Sequence, residues 1–181
     1  MACVIILNGV SSAGKTTIAK AIQQRAHRDF LHVSMDGFIA MVPDGREFTE
    51  GWFPVETVAN DHGPLARISN GPKGERLLHQ MRAFVAELAD SGFDVIVDDV
   101  CRSRGIAAYR TLLDGHRLQI VQVTGDLGKI EQRERERGDR LIGLARAQAM
   151  NLHDDIVYDQ DISTTTASPE ECAKHILDAL A

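Results

Sequence analysis

Apolar positions along this chain follow two alternating patterns. Cys3 to Leu7 is an unbroken apolar run closed by Asn8-Gly9, which predicts a strand buried on both faces of a parallel sheet. From Thr16 to Ala26, Ile18, Ala19, Ile22 and Ala26 recur at helical spacing. A second short strand is predicted over Leu31 to Ser34. A long helix follows from Gly74 to Asp90, with Leu77, Leu78, Met81, Phe84, Val85 and Leu88 on one face and a stop at Ser91-Gly92. Val95-Ile96-Val97 predicts a third strand running into Asp98-Asp99; a helix from Ile106 to Leu113 and a fourth strand, Leu118 to Val123, come next. A fifth strand around Ile162 precedes a last helix. That helix is announced by Ser168-Pro169-Glu170-Glu171, an N-cap serine, a proline at the first helical position and a capping-box glutamate. Such alternation predicts a doubly wound α/β sheet that binds its ligands beyond the carboxyl ends of the strands.

One segment, Gly37 to Pro72, breaks this rhythm. It is rich in glycine and proline, holds Trp52, and shows no long periodic pattern. Loops of this length in compact domains tend to be functional, so it reads as an acceptor-binding flap. The 181 residues, 44% hydrophobic, suit a single domain over residues 1–181. A net charge of −6 offers no basic excess for a nucleic-acid backbone, so nucleic acid is not expected as a partner. Cys3, Cys101 and Cys172 are widely spaced and odd in number, which fits a reducing compartment better than a disulfide framework. The start MACVIILNG lacks a basic flank, and its apolar run is too short for a signal or a membrane span; a cytoplasmic protein without membrane contact is expected.

The chemistry is concentrated between the first strand and the first helix. Gly9-Val10-Ser11-Ser12-Ala13-Gly14-Lys15-Thr16 matches G-x-x-x-x-G-K-[ST] in the strand-to-helix setting that motif requires. Gly9 and Gly14 let the backbone approach an anion, so the N–H groups of the loop, including those of Ser11, Ser12, Ala13 and Thr17 at its helical end, can cradle phosphate. The helix dipole adds positive potential; Lys15 reaches the terminal phosphates, and the Thr16 hydroxyl is placed to ligate Mg²⁺. ATP with Mg²⁺ is the expected pair. A carboxylate at the end of a neighbouring apolar strand would help hold the metal, and Asp98 and Asp99 both qualify, though strand alternation forbids both from facing it at once.

Asp36 ends the second strand at the same sheet edge. A carboxylate there could take the proton of an attacking hydroxyl, or cap a helix beginning at Gly37. The run Arg133-Glu134-Arg135-Glu136-Arg137-Gly138-Asp139-Arg140 falls in a segment, about 130–145, that would form a lid; Gly138 breaks it, which favours Arg137 and Arg140 over Arg133 and Arg135 as phosphate clamps.

The stretches IILNGVSSAGKT, MDGFIAMVP, VIVDDV, RGDRLIGLARAQ and YDQDISTT, in this order over nearly the whole chain, resemble the chloramphenicol phosphotransferase family of P-loop kinases. The resemblance implies a three-layer P-loop fold with a five-stranded parallel sheet in the order 2-3-1-4-5, Asp36 as the base, phosphate contacts from Arg137 and Arg140, and transfer from ATP to a hydroxyl of the antibiotic. It also implies that Thr164 to Ser168 borders the adenine. It is thinnest from Asp44 to Asn70, where an acceptor would be chosen. The expected function is an ATP-dependent O-phosphotransferase acting on a small molecule with a hydroxyl group, chloramphenicol or a related aromatic alcohol. A pocket of Phe38, Met41, Val42, Trp52 and Phe53 would suit such an acceptor. Kinases of a sugar, nucleotide or nucleotide-sugar, and a non-catalytic nucleotide-dependent regulator, remain as alternatives; a charged acceptor would call for more arginine than Arg46 and Arg67 in the flap. The histidines show no metal-ligand spacing and read as surface or core.

Overall fold

The computed structural model describes residues 1–61 and 63–180, so His62 and Ala181 lie outside the described residues. The apolar runs form the strands they predict. β1 (Cys3–Asn8) and β5 (Asp94–Asp99) are buried along their whole length, as strands with a neighbour on each side and helices on both faces must be. With β2 (Phe30–Ser34), β6 (Arg117–Thr124) and β7 (Gln160–Ser163) they make a five-stranded sheet in the spatial order β2-β5-β1-β6-β7, every pair parallel. Those are the second, third, first, fourth and fifth strands of that sheet, the order the resemblance implied.

Side-chain alternation in β1 divides the core into two layers. Cys3, Ile5 and Leu7 face α1 (Lys15–Arg25) and α7 (Pro169–Asp178) through Ile18, Ile22, Cys172 and Ile176. Ala2, Val4 and Ile6 face the opposite way, onto Leu78, Met81 and Val85 of α3 (Pro72–Asp90) and Ile106 and Tyr109 of α4 (Ser103–Leu112). Each fully buried aliphatic chain contributes roughly 1.5–3 kcal/mol, so the two layers together clamp the sheet whose carboxyl edge carries the site. The capping box at Ser168 and Glu171 forms and fixes the start of α7.

Gly37 to Pro72 is more ordered than its composition suggested. It contains an antiparallel hairpin, β3 (Val55–Val58) with β4 (Leu65–Ile68), separate from the main sheet. Strands of four residues are too short to reveal a period, and this pair is held largely by α6 (Leu144–Ala149), which is distant in sequence. The short helix α2 (Met35–Ile39) begins two residues before the expected Gly37, because the Ser34 side chain caps it by accepting from Gly37 N at 3.1 Å. α5 (Leu127–Arg137) and α6 form the segment expected as a lid. Among the described residues no helix is long and apolar enough to cross a membrane.

Candidate active site

The loop between β1 and α1 has the shape its glycines require. A Cβ on Gly9 would lie 2.3 Å from the carbonyl oxygen of Val123 in β6, so nothing larger lets the loop leave the sheet here. Gly14 has φ +96° and Ser12 has φ +60°, left-handed conformations of the kind from which anion-binding loops are built. The buried Ser12 Oγ has no hydrogen-bond partner among the described residues. Lys15 is folded inside the loop, with Nζ donating to Gly9 O and Val10 O at 2.9 Å each. Burial pushes the pKa of Lys15 down from the usual lysine value, and Asp98, 3.8 Å from Nζ, pulls it back up.

The adjacent aspartates separate as alternation demands. Asp98 faces the loop, where its Oδ2 accepts from Thr16 Oγ1 at 2.5 Å. Asp99, the second metal candidate of the sequence, faces the opposite layer: its carboxylate accepts from Tyr109 Oη at 2.9 Å and Val100 N at 2.7 Å, with Arg82 at 3.7 Å. Asp99 is fully buried and holds the start of the β5–α4 connection; it does not reach Thr16 or the loop. Burial, reinforced by Asp99, drives the pKa of Tyr109 and of Cys101 well above their ordinary values, so both stay protonated and structural.

Asp36 sits in the first turn of α2 with half its side chain exposed to the cleft, and the capping it was offered falls to Ser34 instead. Both of its carboxylate oxygens meet the Arg140 guanidinium, one through Nη2 and the other through Nη1 at 3.4 Å. That hydrogen bond raises the already high pKa of Arg140. Arg137 lines the same cleft and pairs with Asp139 at 3.2 Å, which holds the Asp139 carboxyl below the usual range. Gly138, at φ +68°, ends α5 between the two arginines.

Buried Glu134 ties α5 to the start of α6. It accepts from Gly143 N at 2.7 Å and from Ala145 N at 2.8 Å, satisfying orphan donors at the start of α6. Gly143 O in turn accepts from Ala66 N of β4 at 3.4 Å, which ties this segment to the hairpin.

The cleft enclosed by these elements has a volume of about 680 Å³. Its apolar wall is Met35, Ile39, Phe48, Ile68, Leu141 and Leu144. The acceptor pocket expected from the sequence is not part of this wall. Val42 and Phe53 are core, Phe38 packs on Phe84 at 6.0 Å, Trp52 receives Lys73 over its ring at 5.6 Å, and Met41 points to solvent. Two further cleft residues lie outside the set expected from the sequence. Arg133, set aside in favour of Arg137 and Arg140, lines the cleft and donates to Thr164 Oγ1 at 3.1 Å and Thr164 O at 3.3 Å. Its i,i+4 relation to Arg137 would have placed both on one helical face. Gln148, whose Oε1 accepts from Ser11 N at 2.7 Å, carries no local signal at all. His153 lies behind the loop, its Nδ1 2.6 Å from Tyr158 Oη, which also accepts from Asn8 at 2.8 Å.

These residues suit a nucleoside triphosphate with Mg²⁺. The loop supplies left-handed turns at Ser12 and Gly14, an orphaned serine hydroxyl and a lysine, while Thr16 and Asp98 form a hydroxyl–carboxylate pair. Of the N–H groups expected to cradle phosphate, Ser11 N is taken by Gln148 and Ala13 N by Val10 O. Mg²⁺ characteristically takes one or two such protein ligands and completes its shell from phosphates and water.

The chain matches the family model described as "Chloramphenicol phosphotransferase-like protein" over residues 2–181. It is 32% identical over 179 residues to "Putative O-phosphotransferase Rv2636" of Mycobacterium tuberculosis (strain ATCC 25618 / H37Rv), covering 95% of this chain and 79% of that protein. Among solved structures it is similar to the Mycobacterium tuberculosis APS kinase CysC in complex with AMPPNP and APS, with TM-score 0.70 and 15% identity over 99% of this chain and 97% of that one. It is also similar to a gluconokinase from Sinorhizobium meliloti 1021, with TM-score 0.64 and 20% identity over 99% and 93% of the two chains. At these identities the structural likeness shows the shared α/β fold, and the family match carries the assignment: the chain belongs to the chloramphenicol phosphotransferase-like proteins, a family of P-loop kinases.

Proposed function

We propose that the protein transfers the γ-phosphoryl group of ATP to a hydroxyl of a small molecule with an apolar body, chloramphenicol or a related aromatic alcohol, in the cytoplasm. The observation that carries this reading is that Asp36 shares one cleft with Lys15, Thr16, Asp98, Arg137 and Arg140. The name of the mycobacterial relative, an O-phosphotransferase, points to the same reaction.

In this reading the loop N–H groups and Lys15 hold the phosphates, and Arg133 beside Thr164 borders the adenine. Thr16 and Asp98 would hold Mg²⁺, which neutralises charge on the phosphate oxygens. The acceptor lies against Met35, Ile39, Phe48 and Ile68 with its hydroxyl at Asp36. As the hydroxyl oxygen bonds to the γ-phosphorus, its proton passes to the Asp36 carboxylate, the bond from phosphorus to the bridging oxygen breaks, and ADP leaves. Arg140 must first leave Asp36; it then becomes available, with Arg137, to the charge on the transferring group.

The test incubates protein, ATP and Mg²⁺ with chloramphenicol, and in parallel with aromatic alcohols, sugars and nucleosides, and seeks a phosphorylated product by mass spectrometry. Phosphorylated chloramphenicol is the expected result. A product from a sugar or nucleoside alone would move the acceptor class. ATP binding without any product would overturn the kinase reading in favour of a nucleotide-dependent regulator.

A further inference from the structure

Beside this cleft a second lobe of about 390 Å³ opens at the hairpin, and Ile68, Leu144 and Gln148 line both, so the two adjoin. Two arginines from separate parts of the chain meet in this lobe: Arg67 from β4 and Arg102 from the β5–α4 connection. Among the described residues neither has a carboxylate within ion-pair range. Arg102 donates to Asn151 Oδ1 at 3.0 Å, which steadies its guanidinium at the rim of the lobe. Glu56, the cross-strand partner of Arg67, also lines the lobe, so its walls carry one excess positive charge.

We propose that this lobe is the distal acceptor subsite and that it reads an oxyanion, a carboxylate or a phosphate or sulfate ester, through Arg67 and Arg102. Guanidinium groups pair bidentately with planar and tetrahedral oxyanions. Two cations lacking carboxylate partners and facing one cavity form a receptor for such a group. A molecule spanning both lobes would set its hydroxyl at Asp36, its apolar body along Ile68 and Leu144, and its anion at the arginines. A neutral alcohol, chloramphenicol included, then engages only the first lobe, and an alcohol that also carries an anion engages both and is used better. Flap arginines alone did not suggest this, because Arg102 joins Arg67 only in the folded chain. The use of the lobe by an acceptor rests on the kinase reading above; the anion site itself does not.

The test uses one ring with three tails: 1,4-benzenedimethanol, 4-(hydroxymethyl)benzoate and 4-(hydroxymethyl)benzyl phosphate. In the presence of ATP and Mg²⁺, the anionic members should show kcat/KM about tenfold or more above the diol, chiefly through a lower KM, the scale of one or two charge-assisted contacts. Arg67→Ala and Arg102→Ala should collapse that ratio toward one, and Arg102→Lys should restore part of it. Carboxylate and phosphate arms show which oxyanion fits better. Equal use of all three, unchanged by the substitutions, overturns the proposal.

A binding arm separates this outcome from failure of the kinase reading. The probes 4-methylbenzoate and 4-methylbenzyl phosphate have no hydroxyl to phosphorylate, and are titrated by calorimetry into protein saturated with a non-hydrolysable ATP analogue. Binding weakened about tenfold or more by either alanine substitution supports the subsite even if no alcohol is turned over. Binding that is absent, or indifferent to the substitutions, overturns it.

Discussion

Glu134→Gln tests whether one buried carboxylate ties α5 to α6. The side chain is 1% exposed, and its oxygens accept separately from Gly143 N and Ala145 N. Glutamine keeps the shape but offers one acceptor and one donor, so one backbone N–H is left facing an NH₂ group. An unsatisfied buried N–H costs about 1–3 kcal/mol, and the surviving bond falls from a charge-assisted contact worth roughly 1.5–3 kcal/mol to a neutral one worth about 1 kcal/mol. Together these predict a loss of about 2–4 kcal/mol, which at roughly 2–4 °C per kcal/mol for a chain of this size lowers Tm by about 4–16 °C. The assay is thermal unfolding at neutral pH, followed by circular dichroism, with phosphoryl transfer measured alongside. Transfer should fall as well, because Arg140 rides on the loop between Gly138 and Gly143. A Tm within about 2 °C of wild type, with transfer unchanged, would refute the assignment of Glu134 as that tie.

Further outcomes follow from other parts of the site. Asp36→Asn should lower transfer about a hundredfold or more while nucleotide affinity, read by calorimetry, is retained; transfer at the wild-type rate would exclude Asp36 as the base. Gly9→Ala should impair nucleotide binding and stability together, since its Cβ would meet Val123 O at 2.3 Å; the overpacking cost is about 1–3 kcal/mol by urea unfolding. The Glu131–Arg146 pair gives a pH signature. Hydrogen bonding to Arg146 lowers the Glu131 pKa, so its stabilisation is fully present above the unfolded carboxylate value of 4.5 and is lost as pH falls through the lower folded value. Glu131→Gln should therefore cost roughly 1 kcal/mol at pH 7, and the difference from wild type should shrink as the pH is lowered below that value. A difference that stays constant down to strongly acidic pH would refute it.

Wherever local pattern sets local structure, the sequence alone was sufficient. The apolar runs of β1 and β5, the P-loop between strand and helix, and the capping box of α7 are all readable from neighbouring residues, because strand burial, loop geometry and helix capping act within a few positions. The aspartate pair shows where that reach ends. Alternation dictates that Asp98 and Asp99 face opposite sides, but only the packing of α1 on one layer and of α4 on the other decided which carboxylate meets Thr16. The hairpin, the meeting of Asp36 with Arg140 across 104 positions, the seat of Gln148 on the P-loop and the approach of Arg102 to Arg67 have no counterpart in any short window of sequence. Each depends on the path of the chain between distant segments. That path is selected by the burial of whole layers, so the tertiary structure decided which charges share the cleft.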